Sequence, residues 1–92
     1  MSENNDLPYK SITNAAHMCG HDGHTTCLLG GLSFYLENLE KIPSNWGVRF
    51  IFQPAEEGKG GAIKMVKDGV MENMDEVYGQ HNMPSKQHAG KI

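Results

Sequence analysis

Apolar residues recur at intervals of three and four between positions 25 and 40, and this spacing predicts an amphipathic helix. The leucines that set the pattern are Leu28, Leu29, Leu32, Leu36 and Leu39. We expect the helix to begin near Asp22 or Thr25 and to end before Pro43, because proline cannot continue a helix. The leucines, with Phe34 and Tyr35, are interpreted as core positions.

Two strands are predicted further along the chain. Residues 46–52 are almost continuously apolar after Arg49, as in a buried strand of a parallel sheet, and Pro54 ends this segment. Residues 75–79 have the pattern of a shorter strand. Each strand follows a predicted helix, and this alternating order indicates an α/β fold with a layered sheet. Two strands make an incomplete sheet, so we interpret the chain as part of a larger domain.

A second, short helix is predicted at residues 62–68, between the two strands. Ile63 and Val66 are expected on its inner face, with Val70 as a further candidate. Gly69 is placed to end the helix, since glycine readily adopts the left-handed conformation common after a helix. Residues 1–16 and 84–92 read as loops on either side of a motif-bearing core at 17–83.

Composition excludes several classes of function. The 92 residues carry a net charge of −3 and are 38% hydrophobic, and a domain of this size buries only about 60–65% of its unfolded surface. There is no basic patch, so nucleic acid is not an expected partner. No apolar run approaches the roughly 20 residues of a membrane span. The first residues are acidic and polar, unlike a targeting segment, which favours a cytoplasmic location.

The two cysteines are interpreted differently. They could in principle form one disulfide, but a reducing compartment with Cys19 as a metal ligand is the better interpretation, because Cys19 lies among histidines. Cys27 lies within the helical pattern, where a small buried apolar residue is expected.

The densest chemistry lies in residues 17–24, which contain three imidazoles, one thiol and one carboxylate. The residues concerned are His17, Cys19, His21, Asp22 and His24. Thiolate and neutral imidazole are preferred ligands of zinc and similar ions. Gly20 lets the backbone bend so that both kinds of ligand can reach one ion or two adjacent ions.

Two later segments contain further candidate site residues. Glu56 and Glu57 follow the first predicted strand, and His81 follows the second, so all three are expected above the same edge of the sheet if the two strands are neighbours. Neighbouring side chains in extended backbone point to opposite sides, which suits one glutamate to metal binding and the other to proton transfer. The alternative for a bare Glu-Glu pair is a solvated acidic loop.

The remaining polar residues of the motifs are open to two interpretations. His17 is either a ligand or a surface residue. His24 is a candidate for a hydrogen-bonded partner that orients a ligand, and Asp22 either does the same for His21 or caps the helix. His88 is interpreted as solvated.

Three motifs together resemble those of the aminoacylase/carboxypeptidase metallohydrolases, closest to the branch of hippurate hydrolase and other N-acyl-amino-acid amidohydrolases. The motifs are His17-Met18-Cys19-Gly20-His21-Asp22-Gly23-His24, Gln53-Pro54-Ala55-Glu56-Glu57-Gly58 and Gly79-Gln80-His81-Asn82. The resemblance covers most of the chain and implies part of a layered α/β/α catalytic domain whose sheet is incomplete. Family enzymes are several times longer, so a dimerisation domain and one further metal-binding histidine are not expected here.

The resemblance implies a site with two divalent metal ions, zinc or manganese, that hydrolyses the amide bond of N-acyl amino acids or small peptides. Cys19, His21, Glu57 and His81 resemble metal ligands, and Glu56 resembles the general base that deprotonates a metal-activated water. A second hypothesis is a truncated, non-catalytic subunit held by a partner, and a third is a metal-binding module. In each case an oligomer or partner chain is expected to cover the unfinished sheet.

Overall fold

In a computed structural model of the chain, the structure describes residues 2–13 and 15–83. Their regular elements are α1 at His21–Glu37, a 3₁₀ helix at Leu39–Lys41 and α2 at Gly61–Lys67. Neither described α-helix combines the length and apolar character needed to cross a membrane.

The chain divides into two compact units. The first consists of Met1–Gly30 together with Gln80–Ile92, and the second of Gly31–Gly79. The first unit therefore contains the Cys/His motif and His81, and the second contains the Glu56-Glu57 pair. The predicted tail at 84–92, with His88, lies outside the described residues.

Helix α1 begins at the motif itself. The Gly20 carbonyl accepts the first helical hydrogen bond from the amide of His24, at 2.9 Å, and Gly20 has a φ of +72°. Asp22 lies in the first turn, where a negative charge favours the positive end of the helix dipole. The predicted start near Asp22 is thus confirmed, while Thr25 already lies one turn inside the helix.

The end of α1 is also close to the prediction. After Glu37 the side-chain amide of Asn38 donates to the Phe34 carbonyl at 2.7 Å, which satisfies one acceptor of the last turn. The 3₁₀ helix then continues the helical path, and in its last hydrogen bond the Ile42 amide donates to the Leu39 carbonyl at 3.1 Å. The α-helical part therefore ends at Glu37, before the predicted end near Glu40, although helical turns continue almost to Pro43.

Helix α2 ends in the way that the sequence predicts. The amide of Gly69 bonds the Val66 carbonyl at 3.1 Å, and that of Val70 bonds the Met65 carbonyl at 3.0 Å. This pair of bonds is a Schellman motif, and it requires the left-handed φ of +88° that Gly69 adopts. Glycine is suited to this position because it has no Cβ to clash.

The burial predictions are largely wrong. No hydrophobic residue in the described part of the chain is buried. The predicted core residues that are exposed are Leu29, Phe34, Leu36, Leu39, Ile63 and Val66. Leu28, Leu32, Tyr35 and Val70 are half-buried. Cys27, predicted as buried, is exposed. Helical spacing shows which side chains share a face, but that face becomes buried only where another element covers it.

The two predicted strands are not observed among the described residues. Residues 46–52 and 75–79 have no ladder hydrogen bonds to a neighbouring segment. A β-strand requires such pairing, so neither segment is a strand here. The hydroxyl of Tyr78 donates to the carboxylate of Glu76 two residues earlier, and this bond and the negative charge raise the pKa of Tyr78. The layered α/β class remains a prediction.

Side chains of residues 46–52 contact other segments of the second unit. The ring of Phe50 packs edge-on against Tyr35 of α1, with ring centroids 5.7 Å apart. Arg49 donates to the carbonyls of Val70 and Glu72, at 2.5 and 3.3 Å. These carbonyls lie in the turns that follow α2, and the guanidinium gives both of them a hydrogen-bond donor.

Candidate metal centre

Two predicted ligands, His21 and His81, face each other in the first unit. Their Nε2 atoms lie 3.4 Å apart, and their rings meet nearly perpendicular at 88°. Two imidazole nitrogens that bind one tetrahedral zinc, each at about 2.0–2.1 Å, are about 3.3–3.4 Å apart. The spacing of these two nitrogens therefore fits a shared divalent ion.

The ring of His81 is oriented by the residue that follows it. Its Nδ1 lies 2.6 Å from the carbonyl oxygen of Asn82. A carbonyl oxygen can only accept, so Nδ1 carries the proton and donates. In the neutral ring this leaves the lone pair on Nε2, the atom that faces His21. A ligand histidine whose other nitrogen donates to a carbonyl is the usual arrangement at protein metal sites.

His24, predicted as an orienting partner, lies in the same cluster. One ring nitrogen from each of His21, His24 and His81 can be chosen so that all three lie within 4.8 Å of one another. The Nε2 of His24 accepts a hydrogen bond from the backbone amide of Asn82 at 2.9 Å. Its ring centroid is 4.5 Å from that of His81. The structure therefore brings together three of the histidines that the sequence singles out.

Cys19 is exposed and lies just before α1. Its sulfur lies within 4.8 Å of a ring nitrogen of His21. The residue has a φ of +56°, which is uncommon for a side chain with a Cβ. No disulfide joins Cys19 to Cys27. A thiol and two imidazoles are a donor set suited to zinc or a similar ion.

The Glu56-Glu57 pair lies in a tight loop of the second unit. The amide of Gly58 bonds the Glu56 carbonyl at 2.9 Å, so the pair forms a turn rather than the extended backbone that we expected. Both glutamates are exposed. The loop is closed by Gly61, which is buried and approaches Pro54 so closely that a Cβ would lie 1.7 Å from the Pro54 carbonyl oxygen.

The other candidate residues take more peripheral positions. Asp22 is exposed in the first turn of α1, as expected for a residue that favours the helix start. His17 is exposed and precedes the turn at Cys19 and Gly20. The structure thus favours the interpretation of His17 as a surface residue.

Asn82 is the residue of this site to which sequence reasoning gave no role. Its amide bonds His24 and its carbonyl bonds His81. Its side-chain amide also lies against Gly20, where an added Cβ would be 3.0 Å from the Asn82 carboxamide atoms. The only sequence signal was its position directly after His81, because backbone hydrogen bonds do not depend on residue type.

Comparison with known proteins gives a family match over the whole chain. Residues 1–92 match the family described as peptidase family M20/M25/M40. The chain is 47% identical to hippurate hydrolase of Campylobacter jejuni over 87 residues, which cover 91% of this chain and 22% of that enzyme. It is 45% identical over 84 residues to thermostable carboxypeptidase 1 of Saccharolobus solfataricus, covering 88% of this chain and 21% of the relative.

A third relative extends the range of named activities. The chain is 41% identical to N-acetyl-L-cysteine deacetylase of Bacillus subtilis over 85 residues, which cover 91% of this chain and 20% of that protein. The chain thus spans about a fifth of the length of these curated relatives. No solved structure gives a significant match.

Proposed function

Because the chain belongs to peptidase family M20/M25/M40, whose members are metal-dependent hydrolases, we propose that it supplies part of the active site of an amidohydrolase. The proposed substrates are N-acyl amino acids or small peptides, and the bond cleaved is the amide. The names of two relatives, a hippurate hydrolase and an N-acetyl-L-cysteine deacetylase, support this substrate class.

The observation that carries the proposal is the pair of facing imidazoles. His21 and His81 are 60 residues apart in sequence, yet their Nε2 atoms lie 3.4 Å apart. A hydrogen bond between these two nitrogens uses the lone pair of only one ring, whereas a divalent ion between them would bind both lone pairs. A shared ion therefore fits the spacing and the donor character of both rings.

The proposed ligands are Cys19, His21, Glu57 and His81, and the proposed cofactor is a pair of divalent ions, zinc or manganese. When bound, such ions polarise the amide carbonyl and make water acidic enough to react at neutral pH. Cys19 and His81 supply a soft and a borderline ligand, and the exposed carboxylate of Glu57 supplies a hard one.

Glu56 is the proposed general base. It lies in the same exposed turn as Glu57, and the Gly58 amide donates to its backbone carbonyl. Its carboxylate can accept the proton of the attacking water and then deliver it to the leaving amine. The one side chain thus serves both proton transfers of amide hydrolysis.

A second candidate function is a non-catalytic subunit held by a partner chain. It is favoured by the exposed apolar side chains of the described residues, which include Phe34, Trp46 and Phe52. Trp46 is 68% exposed and Phe34 is 69% exposed. Exposed aromatic residues of this kind are typical of surfaces that another chain covers. This candidate needs no hydrolysis, so the two functions are separable by experiment.

A chimeric enzyme tests the catalytic proposal. The 87 matching residues of the Campylobacter jejuni hippurate hydrolase are replaced by those of this chain, and release of free amino acid from hippurate is measured. We expect metal-dependent turnover. Glu56→Gln should lower it at least about 100-fold, in keeping with the loss of a general base.

Glu40→Gln is the matched control, because Glu40 is an exposed glutamate in the 3₁₀ helix and lies outside the proposed site. This variant should leave turnover unchanged. A chimera that folds and binds metal but does not hydrolyse hippurate would contradict the catalytic proposal and favour the non-catalytic subunit.

A further inference from the structure

We propose that His24 and Asn82 are positioning residues that orient His81 toward the metal, and that His24 is not itself a ligand. The inference deepens the proposed function and rests on it for the identity of the site. It is carried by two hydrogen bonds made by the backbone of a single residue, Asn82.

The first bond fixes the tautomer of His24. The Asn82 amide can only donate, so the Nε2 of His24, 2.9 Å away, is the acceptor. The lone pair of that nitrogen is thereby used, and in the neutral ring the proton lies on Nδ1. While this bond persists, neither nitrogen of His24 offers a lone pair to an ion. Within the three-histidine cluster, His21 and His81 are therefore the ligands, and His24 is a positioning residue.

The second bond fixes the tautomer of His81. Its Nδ1–H donates to the Asn82 carbonyl at 2.6 Å, which leaves the Nε2 lone pair directed at His21. A freely solvated histidine favours the opposite tautomer, with the proton on Nε2, and that form cannot bind a metal through Nε2. The Asn82 carbonyl thus selects the form of His81 that is competent to bind.

Asn82 links the two histidines through its own backbone. The Nε2 of His24 accepts from the Asn82 amide, and the Asn82 carbonyl accepts from the Nδ1 of His81. A fixed position of His24 therefore restricts the direction in which the His81 ring points. The Asn82 side chain adds a third restraint, because it lies against the backbone of Gly20 at the start of α1. His24 is in the first turn of that helix, and α1 therefore acts as the support from which His81 is oriented.

Long-range ¹H–¹⁵N correlation spectra of the histidine rings test the inference without any metal. In the metal-free wild-type chain, at mildly alkaline pH, His24 and His81 should both carry the proton on Nδ1. In His24→Ala the Asn82 amide loses its acceptor, and His81 should shift toward the Nε2–H form. A wild-type His81 with its proton on Nε2 would overturn the inference.

Zinc affinity, measured by competition with a chromophoric chelator, gives a second readout. His24→Ala should weaken binding about 10- to 100-fold, the usual effect of removing a residue that orients a ligand. In His24→Gln the side-chain carbonyl can accept from the Asn82 amide, so this variant should recover most of the affinity. His17→Ala, which removes an exposed histidine from the same motif, should bind zinc like the wild type.

The two readouts separate the inference from the proposed function. A wild-type chain that binds no zinc but shows the Nδ1–H tautomers would overturn the metal site and support the positioning by His24 and Asn82. A wild-type chain that binds zinc, with His24→Gln as weak as His24→Ala, would overturn the positioning role and point to His24 as a ligand.

Discussion

Cys19 and Gly20 form the turn that brings the Cys/His motif into α1. Both have positive φ angles, +56° for Cys19 and +72° for Gly20. The sequence predicts this conformation at Gly20, because glycine adopts it without steric cost. It does not predict it at Cys19, where a left-handed backbone costs on the order of 1–3 kcal/mol. A residue held in that conformation beside His21 is consistent with a functional role for its thiol.

At the scale of the residue, the role of Cys19 can be tested against a second cysteine. Cys19→Ser replaces a soft thiolate with a hydroxyl that binds zinc poorly, and we expect the affinity for zinc to fall at least about tenfold. Cys27→Ser is the matched control, because Cys27 is exposed within α1 and lies outside the histidine cluster. The zinc affinity of this variant should match that of the wild type. Equal losses in both variants would indicate a general effect on the helix and contradict the role of Cys19.

At the scale of the element, helices were predictable and their ends nearly so. The signals for α1 and α2 are local: Asp22 in a first turn, Gly69 after a last turn, and leucines at helical spacing. Such signals act through bonds within a few residues, so they do not depend on the rest of the molecule. The close approach of Gly61 to Pro54 was not predictable, because nothing in the residue types shows that these two backbones meet.

Gly61 is expected to be essential for the loop that carries Glu56 and Glu57. In Gly61→Ala the new Cβ would lie 1.7 Å from the Pro54 carbonyl oxygen, so the backbone must move. A clash of this kind typically costs about 1–3 kcal/mol, which corresponds to about 5- to 150-fold faster amide hydrogen exchange in the affected structure. We expect the increase at the amides of Gly69 and Val70, which end α2.

The control for this prediction is Gly47→Ala, since a Cβ on Gly47 meets no atom within 4 Å. Exchange at Gly69 and Val70 should be unchanged in that variant. If exchange at these two amides were also unchanged in Gly61→Ala, the close contact of Gly61 with Pro54 would not be needed for the stability of α2.

At the scale of the whole molecule, burial is where sequence reasoning failed. The spacing of Leu29 and Leu36 correctly indicates a helix, yet both are about half exposed, at 50% and 56%. Likewise, residues 46–52 read as a buried strand, but Val48 is 49% exposed. Periodicity specifies a face and not the neighbour that covers it, and the chain spans only about a fifth of its relatives' length.

The candidate site was predictable to a greater extent than the core. His21 and His81 were selected by residue type and by a resemblance of motifs, and they lie with Nε2 atoms 3.4 Å apart. The roles of Cys19, Glu56 and Glu57 remain predictions. What the sequence could not give was the link through Asn82, which depends on a backbone amide and a backbone carbonyl that every residue except proline possesses.

X-ray absorption at the zinc edge of the zinc-loaded chain tests the central claim most directly, because it counts the ligand atoms of the ion. The account predicts imidazole nitrogens at about 2.0–2.1 Å and a sulfur at about 2.3 Å. In His81→Ala one imidazole contribution should be lost, while the sulfur remains. A zinc ion surrounded only by oxygen, or a spectrum unchanged by His81→Ala, would contradict a metal centre held by His21 and His81.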